Sequence, residues 1–203
     1  MKTHQAKTSV SLDVGVEIGY QPHLKKRLKT FINSYPFHFV IASIHLGDGL
    51  DFYNGDFFKD KTKKEAIQRY YDIVLEMVKN YDDYDVVGHL DYIIRYGDIQ
   101  KEEYDIFEYM PVIKKILKIL IAKNKGLELN TSGLRYNLGF IHPMNEILTL
   151  YKELGGTLVT IGSDAHAIAD FQADFNQAIK KLKSLGFKTI TEYKNRQATP
   201  VEI

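Results

Sequence analysis

Apolar and polar positions along this chain follow two periods. Short apolar or β-branched runs stand at Val10–Ile18, Phe37–His45, Tyr84–His89, Leu127–Asn130 and Val159–Ile161. Between them lie longer stretches in which apolar residues return every three or four positions. The first kind predicts buried strands and the second amphipathic helices. Helical spacing covers Leu24–Tyr35, the stretch opening at Thr62, Tyr104–Asn124, the stretch from His142-Pro143 through Tyr151, and Phe171–Leu185. Local signals place the ends. Pro36 closes the first helix. Thr62 with Glu65 forms a capping box for the second, whose buried stripe is Ile67, Tyr70, Tyr71, Val74, Leu75 and Val78. The third is the longest helical pattern, with Pro111 near a start or kink and Gly126 as its C-cap, and Gly186 stops the last. Strands alternating with helices predict an α/β fold with a parallel sheet. Residues 1–203 read as one domain, in which 1–9 are an irregular N-terminus and 189–203 an irregular C-terminal tail.

Composition narrows the chemistry. With 203 residues and 44% apolar content the chain can bury a substantial core. Lys plus Arg (27) nearly balance Asp plus Glu (26), so no broad basic field would hold a nucleic-acid backbone, and a small substrate is expected instead. The absence of cysteine excludes disulfides, thiolate zinc sites and a thiol nucleophile. Any metal must therefore be held by nitrogen and oxygen. No apolar run approaches the roughly eighteen residues that cross a bilayer, and no signal-peptide core follows Met1, so no membrane is expected and the cytoplasm is the expected compartment.

Candidate chemistry gathers where the strands end. Glu17 lies in the first run, His45 and His89 close the second and third, and Asp164 and His166 follow the fifth. In a parallel α/β architecture the carboxyl ends of the strands form the mouth of the site. Asp164 and His166, two positions apart on extended backbone, face the same side. Taken singly, each has an ordinary structural role such as a helix cap or a surface histidine; five in one pattern form a constellation. Thr131-Ser132-Gly133-Leu134-Arg135 suits a phosphate, because hydroxyls, backbone N–H groups and a planar guanidinium can share its oxygens. Asp91 is a partner for His89, a contact for a cationic substrate group, or a helix cap. His142 is a weaker candidate for the same substrate contact. The Gly-, Asp- and aromatic-rich stretch Leu46–Asp56 has the length of a lid or wall.

Taken together, Gly15-Val16-Glu17-Ile18, Ser43-Ile44-His45, Gly88-His89-Leu90-Asp91, Glu128-Leu129-Asn130-Thr131-Ser132-Gly133-Leu134-Arg135 and Gly162-Ser163-Asp164-Ala165-His166 resemble the polymerase and histidinol phosphatase (PHP) superfamily, and within it the monofunctional histidinol-phosphatase branch. The resemblance implies a distorted β/α barrel of seven strands with a metal cluster of zinc, manganese or iron at its mouth. It implies hydrolysis of L-histidinol phosphate to L-histidinol and phosphate in histidine biosynthesis. Carried across, Glu17 matches a carboxylate bridging two metals, His45 and His89 match ligands of the second metal, Asp164 a ligand of the first and His166 one of the third. Arg135 matches the phosphate clamp. Ser132, from its hydroxyl-rich turn, and Asp91 and His142, from position alone, are the expected substrate contacts.

The front of the chain departs from that family. A His-x-His strand and a further histidine strand are expected before Glu17, yet His4 stands alone there. Five parallel strands of the seven can be counted, which predicts an incomplete PHP-type barrel whose open edge the tail or a second copy of the chain would cover. At least one ion is expected at Glu17, His45 and His89, since three ligands with an open position can hold a catalytic metal. The competing expectations are an inactive remnant of the fold, a nuclease-type phosphoesterase of the superfamily, and a small-ligand binding module that needs no metal.

Overall fold

The computed structural model describes residues 12–99 and 104–203. Its first half contains β1 (Gly15–Gly19), α1 (Lys25–Asn33), β2 (Phe39–Ser43), a short antiparallel pair β3 (Leu46–Gly47) and β4 (Leu50–Asp51), α2 (Lys63–Asn80) and β5 (Val86–Val87). The second half adds α3 (Ile106–Ala122), β6 (Gly126–Asn130), α4 (Ser132–Arg135), α5 (Asn145–Glu153), β7 (Val159–Gly162), α6 (Phe175–Ser184) and the pair β8 (Thr189–Lys194) and β9 (Gln197–Glu202). Strands β1, β2, β5, β6 and β7 form one sheet in that order, and every neighbouring pair is parallel. Each crossover therefore advances one strand, as in a barrel wall. Among the described residues the wall does not close, and β1 and β7 are its edges.

Alternation along the strands gives the sheet two chemistries. Val40 and Ala42 of β2, Val87 of β5 and Leu127 and Leu129 of β6 pack into the hydrophobic core with the stripes of α2 and α3, including Ile67, Tyr70, Val74, Ile113, Leu117 and Leu120. Glu17, Ser43, Glu128 and Asn130 stand at intervening positions and share the other face with Ile41 and Val86. A capping box at Thr62 and Glu65 starts α2 as expected, and Leu75 is the one member of its stripe left half-buried. No described helix is long and apolar enough to cross a membrane.

Four local expectations are corrected. β1 begins at Gly15, where its register with Phe39 of β2 starts; the earlier part of that run, like the irregular segment 1–9, lies outside the described residues. α2 has 18 residues and α3 has 17, with Pro111 inside the latter's second turn. The turn that ends α3 is made by Asn124, at φ 54°, and not by Gly126. Gly126 opens β6, where a Cβ would stand 2.6 Å from the Leu158 carbonyl oxygen, so close strand approach is what requires glycine there.

The C-terminal segment is the fourth correction, since residues 189–203 form a hairpin. β8 and β9 pair antiparallel around Asn195 and Arg196, whose φ angles of 51° and 65° are those of a two-residue type I′ turn. Arginine in the place usually taken by glycine conceals that turn in the sequence. The Arg196 backbone N–H donates to His38 O at 2.9 Å, its Nε donates to Asp85 Oδ2 at 2.5 Å, and Tyr193 stacks on Phe39 with centroids 5.0 Å apart. These contacts tie the hairpin to the N-terminal ends of β2 and β5. Beside them β8, α6, β7 and β1 line a cavity of about 340 Å³ that includes Gly15, Ile161 and Ile190, so the tail covers part of the gap between the two sheet edges.

Asp85 is the anchor of this arrangement. It is buried and its Oδ2 also accepts the Val40 N–H at 2.8 Å. Asp85→Ala leaves both donors without an acceptor and is expected to destabilise the chain by about 2–3 kcal/mol. Urea unfolding of the two proteins measures this, and an unchanged midpoint contradicts it.

Candidate metal centre

The middle of β1 and the segments that follow β2 and β5 bring three candidate ligands to one point. Glu17 is central in β1, opposite Ile41 in register. His45 follows Ser43 by two positions, which returns its side chain to the polar side of the sheet. His89 follows β5 through Gly88 and has the left-handed φ of 23°. Glu17 Oε1 lies 3.3 Å from His45 Nε2 and 3.2 Å from His89 Nε2, and the two imidazole nitrogens are 3.4 Å apart. Among the described residues, this trio forms a group able to hold a metal ion.

The dimensions of that triangle fit an ion. A tetrahedral zinc with ligands at about 2.0–2.1 Å has ligand–ligand edges of about 3.3 Å. Three donor atoms at that spacing, one carboxylate and two imidazoles, match one face of such a tetrahedron and leave its fourth vertex free. Tyr92 holds the rings in place, stacking on His89 at 4.2 Å and meeting His45 at 5.1 Å. His89 Nδ1 is buried with no hydrogen-bond partner, so Nε2 is the engaged nitrogen of the ring.

Electrostatics agree with the geometry. Burial works against charge on Glu17, but the hydrogen bonds from His45 and His89 outweigh it and hold the carboxyl well below its ordinary range. Burial likewise opposes protonation of His89, while Glu17 and Glu128 pull its pKa upward. The site is a concentrated cluster of donor atoms that a cation stabilises.

Asp164 and His166 occupy the same rim but stand apart from the triangle. Asp164 follows β7 with φ 49°; its Oδ1 lies 3.4 Å from His166 Nε2, and its Oδ2 lies 3.6 Å from the Arg95 guanidinium. The His166 side chain is 83% exposed, so it projects from the mouth without a wall around it. Arg135 donates from Nη1 to Ser163 O at 3.1 Å and from Nη2 to Asp164 O at 2.8 Å, bracing the loop that carries Asp164. Arg95, 9% exposed, packs its guanidinium 3.0 Å from the centre of the Tyr136 ring.

Comparison with known proteins places this geometry. A model of the PHP domain matches residues 1–132. The histidinol-phosphatase of Lactococcus lactis is 32% identical over 193 residues, which are 92% of this chain and 70% of that protein. The chain belongs to the PHP family. A solved structure of Lactococcus lactis histidinol phosphate phosphatase, complexed with zinc, L-histidinol and phosphate, superposes on this PHP chain with a TM-score of 0.83 and 30% identity, covering 96% of this chain and 74% of that one. A Listeria monocytogenes structure, at 21% identity, TM-score 0.65 and coverage of 81% and 67%, shares the fold.

Other expected site residues of the PHP chain are placed elsewhere. Asp91 and His142 are both fully buried and face one another: His142 Nδ1 donates to Asp91 Oδ1 at 2.5 Å, and the Met144 N–H donates to Asp91 Oδ2 at 2.8 Å. Expected as substrate contacts, the two form a buried pair joining the turn after β5 to the start of α5. Ser132 is also fully buried, and its hydroxyl has no partner. Conversely, Arg95 and Glu128 were not singled out as site residues and belong to the surroundings of the centre. Burial raises the Glu128 carboxyl above its ordinary range, and Glu128 Oε2 accepts the His89 N–H at 3.2 Å. The signal for Glu128 was its polar position in the apolar run Leu127–Asn130; for Arg95 there was none beyond its nearness to Asp91.

Proposed function

We propose that this PHP chain is a metal-dependent phosphomonoesterase that hydrolyses L-histidinol phosphate to L-histidinol and phosphate, a step of histidine biosynthesis. The observation that carries the reading is the 3.2–3.4 Å triangle of Glu17 Oε1, His45 Nε2 and His89 Nε2, in a chain 32% identical to a protein named histidinol-phosphatase. These three atoms hold a divalent ion, and zinc, manganese and iron all accept nitrogen and oxygen ligands. When bound, such an ion supplies positive charge and brings the pKa of water toward neutrality. Asp164 and His166, one pair along the rim, supply further oxygen and nitrogen ligands beside it. Arg95 and Arg135 flank Asp164 from two directions and set two guanidinium groups beside the place for the phosphoryl oxygens, where charge develops during transfer.

Protein stripped by chelation and resupplied with manganese or zinc should release phosphate from L-histidinol phosphate, and Asp164→Ala should fall far below it. Metal-dependent release no greater than that of the Asp164→Ala control overturns the reading.

A further inference from the structure

Glu128 lies behind the triangle of ligands and not in it. Its side chain is on the polar face of β6, 5% exposed, with Oε2 accepting both the His89 backbone N–H at 3.2 Å and Asn130 Nδ2–H at 3.0 Å. The neighbouring strand β7 makes room for it. A Cβ on Gly162 at the end of β7 would stand 2.1 Å from Glu128 Oε1, whereas one on Gly88, just beyond β5, would meet Ser43 Oγ at 2.4 Å and be in ordinary contact with Oε2 at 3.4 Å. The carboxylate therefore fills space that a side chain at position 162 would otherwise need. Gly88 immediately precedes His89, in left-handed backbone at φ 23°, and Gly162 stands two positions before Asp164 at φ 49°.

A buried carboxylate is costly unless its oxygens are occupied, and an apolar side chain of similar size would fill the same space without that cost. What the apolar residue cannot do is accept the His89 N–H. A β-carbon-bearing residue with positive φ is held in a sparsely populated conformation, which persists only where its surroundings over-determine it. The hydrogen bond from His89 to Glu128 is such a constraint, fixed at the backbone of the ligand itself.

We propose that Glu128 is a positioning residue for the metal centre, holding His89 in its ligating orientation by gripping its backbone N–H from the space that Gly162 leaves open. This rests on the metal-centre reading above.

The test is titration of metal-free protein with cobalt(II), following the visible d–d absorption of the bound ion, with urea unfolding of each metal-free variant alongside. Loss of a residue that orients a ligand costs about 10–100-fold in metal affinity. Glu128→Ala should show that loss, and Glu128→Gln, whose amide oxygen can accept the same N–H, should recover most of it. Gly162→Ala drives a methyl group into the carboxylate and should weaken cobalt binding alone, but add little in the Glu128→Ala background, where the obstacle is gone. Should Glu128→Ala not fold, the comparison of Glu128→Gln with Gly162→Ala decides: near-normal binding by the first and weakened binding by the second supports the proposal, and the reverse overturns it. Wild-type affinity in Glu128→Ala, or losses that simply add in the double variant, also overturns it. Failure of the wild-type protein to bind cobalt overturns the metal centre and this proposal together, whereas the preceding outcomes remove only the role of Glu128.

Discussion

Glu17→Ala is expected to leave a protein that folds, loses its bound metal on dialysis, and releases phosphate from L-histidinol phosphate on the order of a thousandfold more slowly. Glu17 is the sole anion of the triangle, with its Oε1 within 3.3 Å of both imidazole nitrogens. Without it only the two imidazoles remain, and the negative charge that attracts a divalent ion is gone. A bound ion contributes several kcal/mol of charge stabilisation to such a reaction, and each 1.4 kcal/mol is a factor of ten in rate. The side chain of Glu17 is one-third exposed at 33%, so its truncation opens no core cavity; loss of its bonds to His45 and the buried His89 should lower the unfolding midpoint of metal-free protein without preventing folding. Metal content after dialysis and phosphate release, measured together, check the prediction. Normal metal retention in Glu17→Ala would remove Glu17 from the centre.

Asp91→Ala should produce the largest loss of stability, about 3–5 kcal/mol, because it strips one partner from a fully buried polar pair. Both Asp91 and His142 are 0% exposed, and Asp91 accepts from His142 Nδ1 and the Met144 N–H with its two oxygens. His142 Nε2 already has no partner, so the truncation would strand the whole imidazole in the interior. Asp91→Asn, which retains an acceptor oxygen, should lose less. Urea unfolding of metal-free protein separates these effects from ligand binding. A change below about 1 kcal/mol for Asp91→Ala would mean that the pair contributes no more than an ordinary surface contact.

Much of this architecture was legible because the strands advertise themselves at their ends. Five apolar runs, each followed or punctuated by a carboxylate or imidazole, gave the five parallel strands and put Glu17, His45, His89, Asp164 and His166 on one rim. Spacing along a chain fixes which side a residue faces, not how far it reaches. Hence the sequence grouped all five, while in the fold three converge and Asp164 and His166 pair with each other at 3.4 Å. Long-range pairings were less legible still. His142 meets Asp91 across 51 residues and Glu128 meets His89 across 39, and no local pattern announces either. The terminal hairpin stayed hidden for a different reason: Asn195-Arg196 adopts left-handed backbone in both positions, and only the first residue type signals it.

The open side of the sheet follows from the same reading. Among the described residues the five strands leave β1 and β7 as edges, and β8–β9 lies across part of the gap instead of adding a strand to the wall. The triangle lies at β1, β2 and β5, which are mutually paired neighbours, so the contact between its three residues does not require β1 to meet β7.

The central claim is that a metal sits between Glu17, His45 and His89. Anomalous diffraction at the zinc edge from crystals of this chain grown with zinc tests it most directly. The expected result is a peak about 2.0–2.1 Å from Glu17 Oε1, His45 Nε2 and His89 Nε2 at once; a difference map with no peak among these three atoms, or with zinc bound only elsewhere, would contradict it.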